Sequence, residues 1–121
     1  MSLVSFDYDD CLKSWDRNPC TNLINTAKEH LNNGDGLIIV TARSYSFASF
    51  AEICEFCEEH NLKVKKIKHV SHELKGPTLK AEGAERHYDD CLDHCLSALE
   101  NGVRAFLVVN DSYEELFTEM G

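Results

Sequence analysis

The sequence predicts an α/β fold: a mostly parallel sheet of five strands sandwiched between helices. Two observations lead there. Short apolar runs alternate with helix-period segments along the whole chain, the pattern of parallel strands joined by crossover helices. Polar residues, chiefly acids, follow several of the apolar runs, and in a parallel sheet those strand ends share the edge where ligands bind. The 121 residues, 43% apolar and 27% charged, suffice for one core and fall short of two ordinary domains. Residues 1–121 are therefore read as a single domain.

Taken in order, Leu3 to Phe6 is the first strand and runs straight into Asp7, Asp9 and Asp10. Pro19 to about Asn33 reads as a helix. Asn18 is its expected cap, Pro19 suits the first turn, Leu23, Ile24, Ala27 and Leu31 share a face, and Gly34 ends it. Leu37 to Val40 is the second strand and leads into Thr41, Ala42 and Arg43. The second helix runs from about Phe47 to His60, with Phe47, Phe50, Ala51 and Cys54 at helical spacing. Leu62 to Val70 is a lysine-bearing third strand, and a short helix follows Gly76 and Pro77. Arg86 to Tyr88 is a brief strand that stops at Asp89 and Asp90. Leu92, Cys95, Leu96 and Leu99 mark a helix closed by Gly102, and Ala105 to Val109 is the last strand. Ser112-Tyr113-Glu114-Glu115 fits the capping box of a terminal helix.

The formal charge of −9 disfavours a generic polyanion binder, because non-specific nucleic-acid affinity comes from lysines and arginines that displace counterions. Much of the negative charge, as in Glu52 to Glu59 and Glu114 to Glu119, reads as solvated helix faces. No apolar run approaches the roughly 20 residues that span a bilayer, and the opening lacks a basic and hydrophobic signal segment. A cytoplasmic protein without membrane association is expected. Lys63, Lys65, Lys66 and Lys68 form the one basic cluster, read as an edge strand that lysines protect from unwanted pairing. The six cysteines include Cys54 with Cys57 and Cys91 with Cys95, spacings that admit a zinc site only if two helices meet. Reduced, packed thiols are the favoured reading. Cys11, with no cation adjoining it in sequence, does not read as a nucleophile. Among the histidines, His72 and His87 fall near the acidic strand ends.

Asp7 and Asp9 after the first strand, Thr41 after the second, and Asp89 and Asp90 after the fourth thus converge on one expected crevice. Oxygen ligands of this kind suit a hard cation, and magnesium fits best because it takes a few carboxylates plus water and phosphate oxygens.

The sequence here resembles the haloacid dehalogenase superfamily of phosphatases and phosphotransferases. The resemblance covers nearly the whole chain and rests on four features in the family's order: Leu3-Val4-Ser5-Phe6-Asp7-Tyr8-Asp9, Leu37-Ile38-Ile39-Val40-Thr41, the lysine of Lys75-Gly76-Pro77, and Arg86-His87-Tyr88-Asp89-Asp90. It implies a Rossmann-like three-layer sandwich and a magnesium-dependent phosphohydrolase that cleaves a phosphomonoester through an aspartyl-phosphate. Asp7 would be the nucleophile, and Asp9 would protonate the leaving oxygen and then activate water. Thr41 would bind the phosphoryl group, and Lys75, with Lys80 as its rival, would neutralise charge between nucleophile and phosphate. Asp7, the carbonyl of Asp9, and one or both of Asp89 and Asp90 would hold Mg2+. Asp10 and Asp93 are candidates for support through water.

Two positions depart from the family pattern: Asp10 stands where glycine is common, and Cys11 where threonine or valine is. Only short segments separate Cys11 from the first helix and Val70 from Lys75, which leaves no room for the family's inserted cap domains. A capless member with an open site is implied, suited to a phosphorylated small molecule or to an exposed phosphate on a macromolecule. Thr41-Ala42-Arg43 is similar to the Ser-Gly-Arg segment of phosphatase domains that repair nucleic-acid ends, which makes Ala42 and Arg43 candidate substrate contacts. A surface ion pair is the plainer role for Arg43. The alternative functions are a phosphatase specialised for nucleotide or nucleic-acid ends, and a binding or regulatory module that kept the fold without turnover. Oligomeric state is open.

Overall fold

The computed structural model describes residues 2–117. β1 (Leu3–Phe6), β2 (Gly36–Thr41), β3 (Val64–His69), β4 (Arg86–Asp89) and β5 (Arg104–Val109) run parallel, and β6 (Ser112–Leu116) is antiparallel to β5. Helices α1 (Thr21–Asn32), α2 (Phe47–Glu59), α3 (Gly76–Glu82) and α4 (Leu92–Glu100) complete the chain. The six strands lie in the order β3-β2-β1-β4-β5-β6, a Rossmann-like sandwich. The chain moves outward from β1 through β2 to β3, then crosses back to β4 on the other side of β1. The switch point, where such sheets open a crevice, is therefore at the carboxyl ends of β1 and β4.

Two apolar clusters cover the two faces. Val4, Phe6, Leu37, Ile39, Tyr88, Phe106 and Val108 pack against Leu23, Ile24 and Ala27 of α1 and Ile53, Phe56 and Cys57 of α2. Ile38, Val40 and Ala105 pack against Leu79 of α3 and Cys95 and Ala98 of α4. In-register pairing puts Phe6, Tyr88 and Phe106 side by side on neighbouring strands. Their rings stack at 4.4 Å and 5°, then at 4.6 Å and 16°. Because successive side chains point to opposite faces, the same register sets Ser5 beside His87 on the α3/α4 face.

The sheet has six strands rather than five, because Ser112–Leu116 is a strand and not the start of a helix. Asn110 and Asp111 both adopt positive φ, 50° and 60°, the type I′ geometry that folds a strand back on itself. Tyr113 then meets Tyr88 and Phe106 edge-on, and Glu115 pairs with Arg104 at 2.8 Å. These cross-strand contacts override the capping pattern. Glu119, at the end of the acidic stretch read as a helix face, lies outside the described residues.

The helix faces also differ from expectation. On α2 the buried residues are Ser49, Ile53, Phe56 and Cys57, while Phe47 and Phe50 are exposed. On α4 Cys95 is buried as expected, but Leu92 and Leu96 face solvent. The apolar residues mark the helices yet sit one position round from the stripe that the sheet covers. β3 is an edge strand, as its lysines imply, and Lys66 pairs with Glu82 at 2.8 Å. Among the described residues, no helix is long and apolar enough to cross a membrane.

Neither Asn18 nor Pro19 starts the first helix. α1 begins at Thr21 after Cys20, which makes no side-chain cap. Its first amides are satisfied from the β5–β6 turn instead: the Asp111 carboxylate accepts hydrogen bonds from the backbone N–H of Asn22 and Leu23, both at 3.1 Å. Asp111→Ala is therefore expected to cost about 1 kcal/mol, the usual worth of a cap, and Asp111→Asn less, since asparagine accepts the same bond and tolerates positive φ. Urea denaturation measures both; equal losses would remove Asp111 from the capping role.

Candidate active site

The site is assembled at the switch point by three elements. β1 ends in Phe6 on the aromatic face, so Asp7 turns to the α3/α4 face, and its own N–H donates to the Tyr88 carbonyl at 2.9 Å. Asp89 closes β4 on the same face. Lys75 sits at the N-terminus of α3, and its ammonium, wholly buried, lies 3.0 Å from Asp7 Oδ1 and 2.6 Å from Asp89 Oδ2. Gly76 fixes that helix start. Its N–H donates to Ser97 Oγ at 2.9 Å, and a Cβ there would run into Ser97 and Asn101 of α4. Lys80, the rival lysine, is exposed.

Below this ion cluster lies a buried relay. His87 Nε2 is 2.7 Å from Asp89 Oδ2, and His87 Nδ1 is 2.7 Å from Ser5 Oγ. Burial pushes the His87 imidazole below its ordinary value despite the Asp89 charge, which favours the neutral form. In that form Nε2–H donates to Asp89, and the Ser5 hydroxyl donates to Nδ1. Burial pushes Asp89 upward, but His87 and Lys75 together outweigh it and hold the carboxyl below the usual range. Asp7 has no such surplus of donors. Burial, then the Asp89 charge, raises it well above the ordinary value against the pull of Lys75. In Lys75 itself, burial is overcome by the two carboxylates, and the ammonium stays charged.

Asp7, Asp89 and Asp90 offer carboxylate oxygens that all lie within 4.8 Å of one another. An all-oxygen donor set of this size fits a hard divalent cation, and such a charge favours the ionised form of each acid. Among the described residues, this is the one acid, histidine and cysteine cluster that close. Cys54 and Cys57 lie on α2 and Cys91 and Cys95 at α4, on opposite faces of the sheet, so they cannot share an ion. Burial pushes the Cys57 and Cys95 thiols up to about 12. Cys11 is likewise wholly buried and raised, and is no nucleophile.

Asp9 stands apart from the cluster, its side chain half exposed. Arg43 Nε and Nη2 donate to its two oxygens, each at 2.8 Å, a fork-to-fork pair with fixed geometry. The same guanidinium donates to Glu52 at 3.1 Å and to Ser49 Oγ at 3.3 Å, and it lies over the Tyr8 ring at 5.2 Å. Arg43 is thus an ion-pair residue that orients Asp9. Thr41 is fully buried at the end of β2 and accepts from the Arg43 N–H at 3.2 Å. The Ala42 and Arg43 carbonyls are taken by the N–H groups of His72 and Ser71, so the Thr41-Ala42-Arg43 turn is tied to the end of β3. His72 itself is exposed, and of the two histidines considered near the crevice only His87 belongs to the site.

Ser5, Glu52 and Tyr8 also belong to this assembly. Of the three, only Ser5 carries a signal in the sequence, a polar residue inside a buried strand.

Removing the Lys75 charge leaves two carboxylates buried against each other. Lys75→Met is expected to cost about 3–5 kcal/mol, with partial recovery when Asp7→Asn is added, both measured by urea denaturation. A single variant as stable as the parent would contradict the pairing. Asp90 gives a pH test. Partial desolvation, with the Asp89 and Asp10 charges and against a hydrogen bond with Asp7, pushes it up to about 6. Its folded value lies above the unfolded one, near 4. Between about pH 4 and 6 the unfolded chain therefore binds fewer protons, and the metal-free fold loses stability as pH rises. Asp90→Asn should raise the melting temperature in chelator more at pH 7 than at pH 4; the reverse order would refute the shift.

Neither a protein-family model nor a curated protein matches the chain.

Proposed function

We propose that the protein is a magnesium-dependent phosphohydrolase of the haloacid dehalogenase type, acting on a phosphomonoester. The observation that carries this reading is the convergence of Asp7, Lys75, Asp89 and Asp90 at the switch point, with Asp9 held outside the cluster on the solvent side. Five features expected of that chemistry, scattered through the sequence, meet at one sheet edge. Asp10, at the position where the superfamily commonly has glycine, adopts φ 56°, a conformation that aspartate tolerates better than most residues. The departure at that position is therefore compatible with the loop. The short β1–α1 and β3–α3 connections support a capless form.

In this reading Asp7 Oδ attacks phosphorus, a P–O bond to Asp7 forms, and the bond to the leaving oxygen breaks. Asp9 gives that oxygen its proton. Water then attacks phosphorus in the aspartyl-phosphate, Asp9 takes the water proton, and phosphate leaves with Asp7 regenerated. Asp7, Asp89 and Asp90 would hold Mg2+, which when bound supplies charge neutralisation for the phosphoryl oxygens. Lys75 lies on the nucleophile and opposes its protonation. The neutral His87 directs its N–H at Asp89 and keeps that carboxylate aimed at the site, as partners behind metal ligands do. Arg43 orients the proton carrier, and the exposed side of Asp9 leaves it open to exchange with water.

Purified protein is expected to hydrolyse a generic aryl phosphate with Mg2+ and to stop in excess chelator. Asp7→Asn should lower kcat by at least about a thousandfold, as loss of a nucleophile does, while the thermal unfolding transition persists. Steady-state hydrolysis with and without Mg2+ checks both. Full turnover by the variant, or by the parent in chelator, would reject the mechanism.

A further inference from the structure

We propose that Trp15 and Arg17 form an outer subsite that selects a phosphorylated nucleoside, the base stacking on the indole and the guanidinium holding further phosphate along a strand. This rests on the phosphohydrolase reading and names its substrate class. Trp15 is the sole tryptophan of the chain, and it is 85% exposed. It is not on a loose loop. Ser14 N–H donates to the Asn18 carbonyl at 2.8 Å, Arg17 N–H to the Ser14 carbonyl at 2.9 Å, and Cys20 N–H to the Leu12 carbonyl at 2.8 Å. Bridges from Lys13 to Asp9 and to Pro19 close the turn at its base. The indole is held out into solvent by a braced hairpin that starts at the proton-carrying Asp9. Arg17 sits in this hairpin at φ 71°, a conformation unfavourable for a residue with a Cβ.

The space beside the hairpin supports this assignment. A cleft of about 170 Å³ runs from Asp9 and Arg43 past Lys13 to Trp15 and Arg17. That is below the roughly 300 Å³ that encloses a drug-sized ligand, so a leaving group is only partly enclosed and its far part lies along the end that Trp15 and Arg17 line. The charges in the cleft are also sorted. Arg43 is committed to Asp9, and Glu52 to Arg43 and Lys13. Among the described residues no carboxylate pairs with Arg17, which leaves its guanidinium available in a chain of net charge −9. Asp10 lines this cleft and also the one on the other side of Trp15, but that second cleft adds Asp90 and Asp111 and, among the described residues, has no cation in its wall, so it disfavours an anionic leaving group. An anion leaving Asp9 is therefore directed across the indole toward Arg17. A flat heterocycle carrying negative charge matches that path, because base–aromatic stacking tolerates any base and a guanidinium takes phosphate.

The single tryptophan is its own reporter. In Asp7→Asn protein with Mg2+, AMP should quench Trp15 fluorescence saturably, with ribose 5-phosphate and phosphotyrosine at least about tenfold weaker. In the active enzyme, Trp15→Ala should lower the ratio of kcat/KM for AMP over ribose 5-phosphate by about tenfold, and Trp15→Phe should retain most of it. The exposure of Trp15 makes unfolding an unsuitable explanation, and circular dichroism checks this. Oligonucleotides phosphorylated at either end separate the sources. Binding about tenfold tighter than AMP, lost in Arg17→Ala and weakened by salt, assigns a strand end; binding no tighter than AMP assigns a free nucleotide. Hydrolysis without quenching, equal quenching by ribose 5-phosphate or phosphotyrosine, or an unchanged ratio in Trp15→Ala would overturn the subsite and leave the phosphohydrolase standing. Saturable quenching by AMP with no hydrolysis of any phosphomonoester would support the subsite and overturn the phosphohydrolase.

Discussion

The buried ammonium of Lys75, clamped between Asp7 and Asp89, is the interaction on which the rest of the molecule depends. Three ionisable groups lie there almost without solvent, a placement that is costly unless each charge is paired and its remaining bonds are met. Those bonds dictate the surroundings. Asp89 requires His87 behind it, His87 requires Ser5, and Ser5 requires β1 and β4 in their observed register. Lys75 requires α3 to begin at the sheet edge, which the close approach of Gly76 to α4 enforces. The α3/α4 layer is thus organised around a polar cluster as well as an apolar one.

The opposite layer does the complementary work. Phe6, Tyr88 and Phe106 stack across three strands beneath α1, with the Tyr88 hydroxyl 3.0 Å from His30 Nε2, and this packing fixes the strands from the side away from the site. Because strand side chains alternate, each aromatic residue that anchors one face sets the direction of its neighbour on the other: Phe6 sends Asp7 toward α3, and Tyr88 does the same for Asp89. The site is therefore positioned by the ends of strands and a helix: Asp89 closes β4, Asp7 and Asp90 each follow a strand by one residue, Lys75 precedes α3, and Asp9, farther out in the β1–α1 loop, is stabilised by the fork of Arg43. A nucleophile at a strand end and a proton carrier on a braced turn is the arrangement the proposed chemistry calls for, since only the second must exchange with water and with different leaving groups.

Much of this was legible in the sequence. Asp7, Asp89 and Asp90 could be selected because each follows a strand pattern, and parallel topology carries such positions to one edge, whereas Lys75, just ahead of Gly76, Pro77 and a helix start, was selected through the resemblance to the haloacid dehalogenase superfamily. The parts that were not legible depend on pairing rather than on local pattern. The capping box at Ser112 was overridden by the left-handed Asn110 and Asp111, a turn signal visible in principle. The faces of α2 and α4 were misplaced because Phe47, Phe50, Leu92 and Leu96 are apolar but remain exposed, and periodicity alone cannot tell an apolar face from a buried one. The cap of α1 comes from Asp111, far along the chain, and no local pattern announces it. The roles of Ser5 and Glu52 were not legible for the same reason, their partners being distant in sequence. Arg43 was read either as a substrate contact or as a surface ion pair, and it lies between Asp9 and Glu52, paired with both.

In the proposed reaction Asp7 is the phosphoryl acceptor. Acid quenching during turnover of a phosphomonoester with Mg2+, followed by mass spectrometry of the peptides, tests this directly. One added phosphoryl group is expected on the peptide from the N-terminus to Lys13, located at Asp7 by reduction of the acyl-phosphate. Turnover with that peptide unmodified, or with the phosphoryl group on another residue, would contradict it.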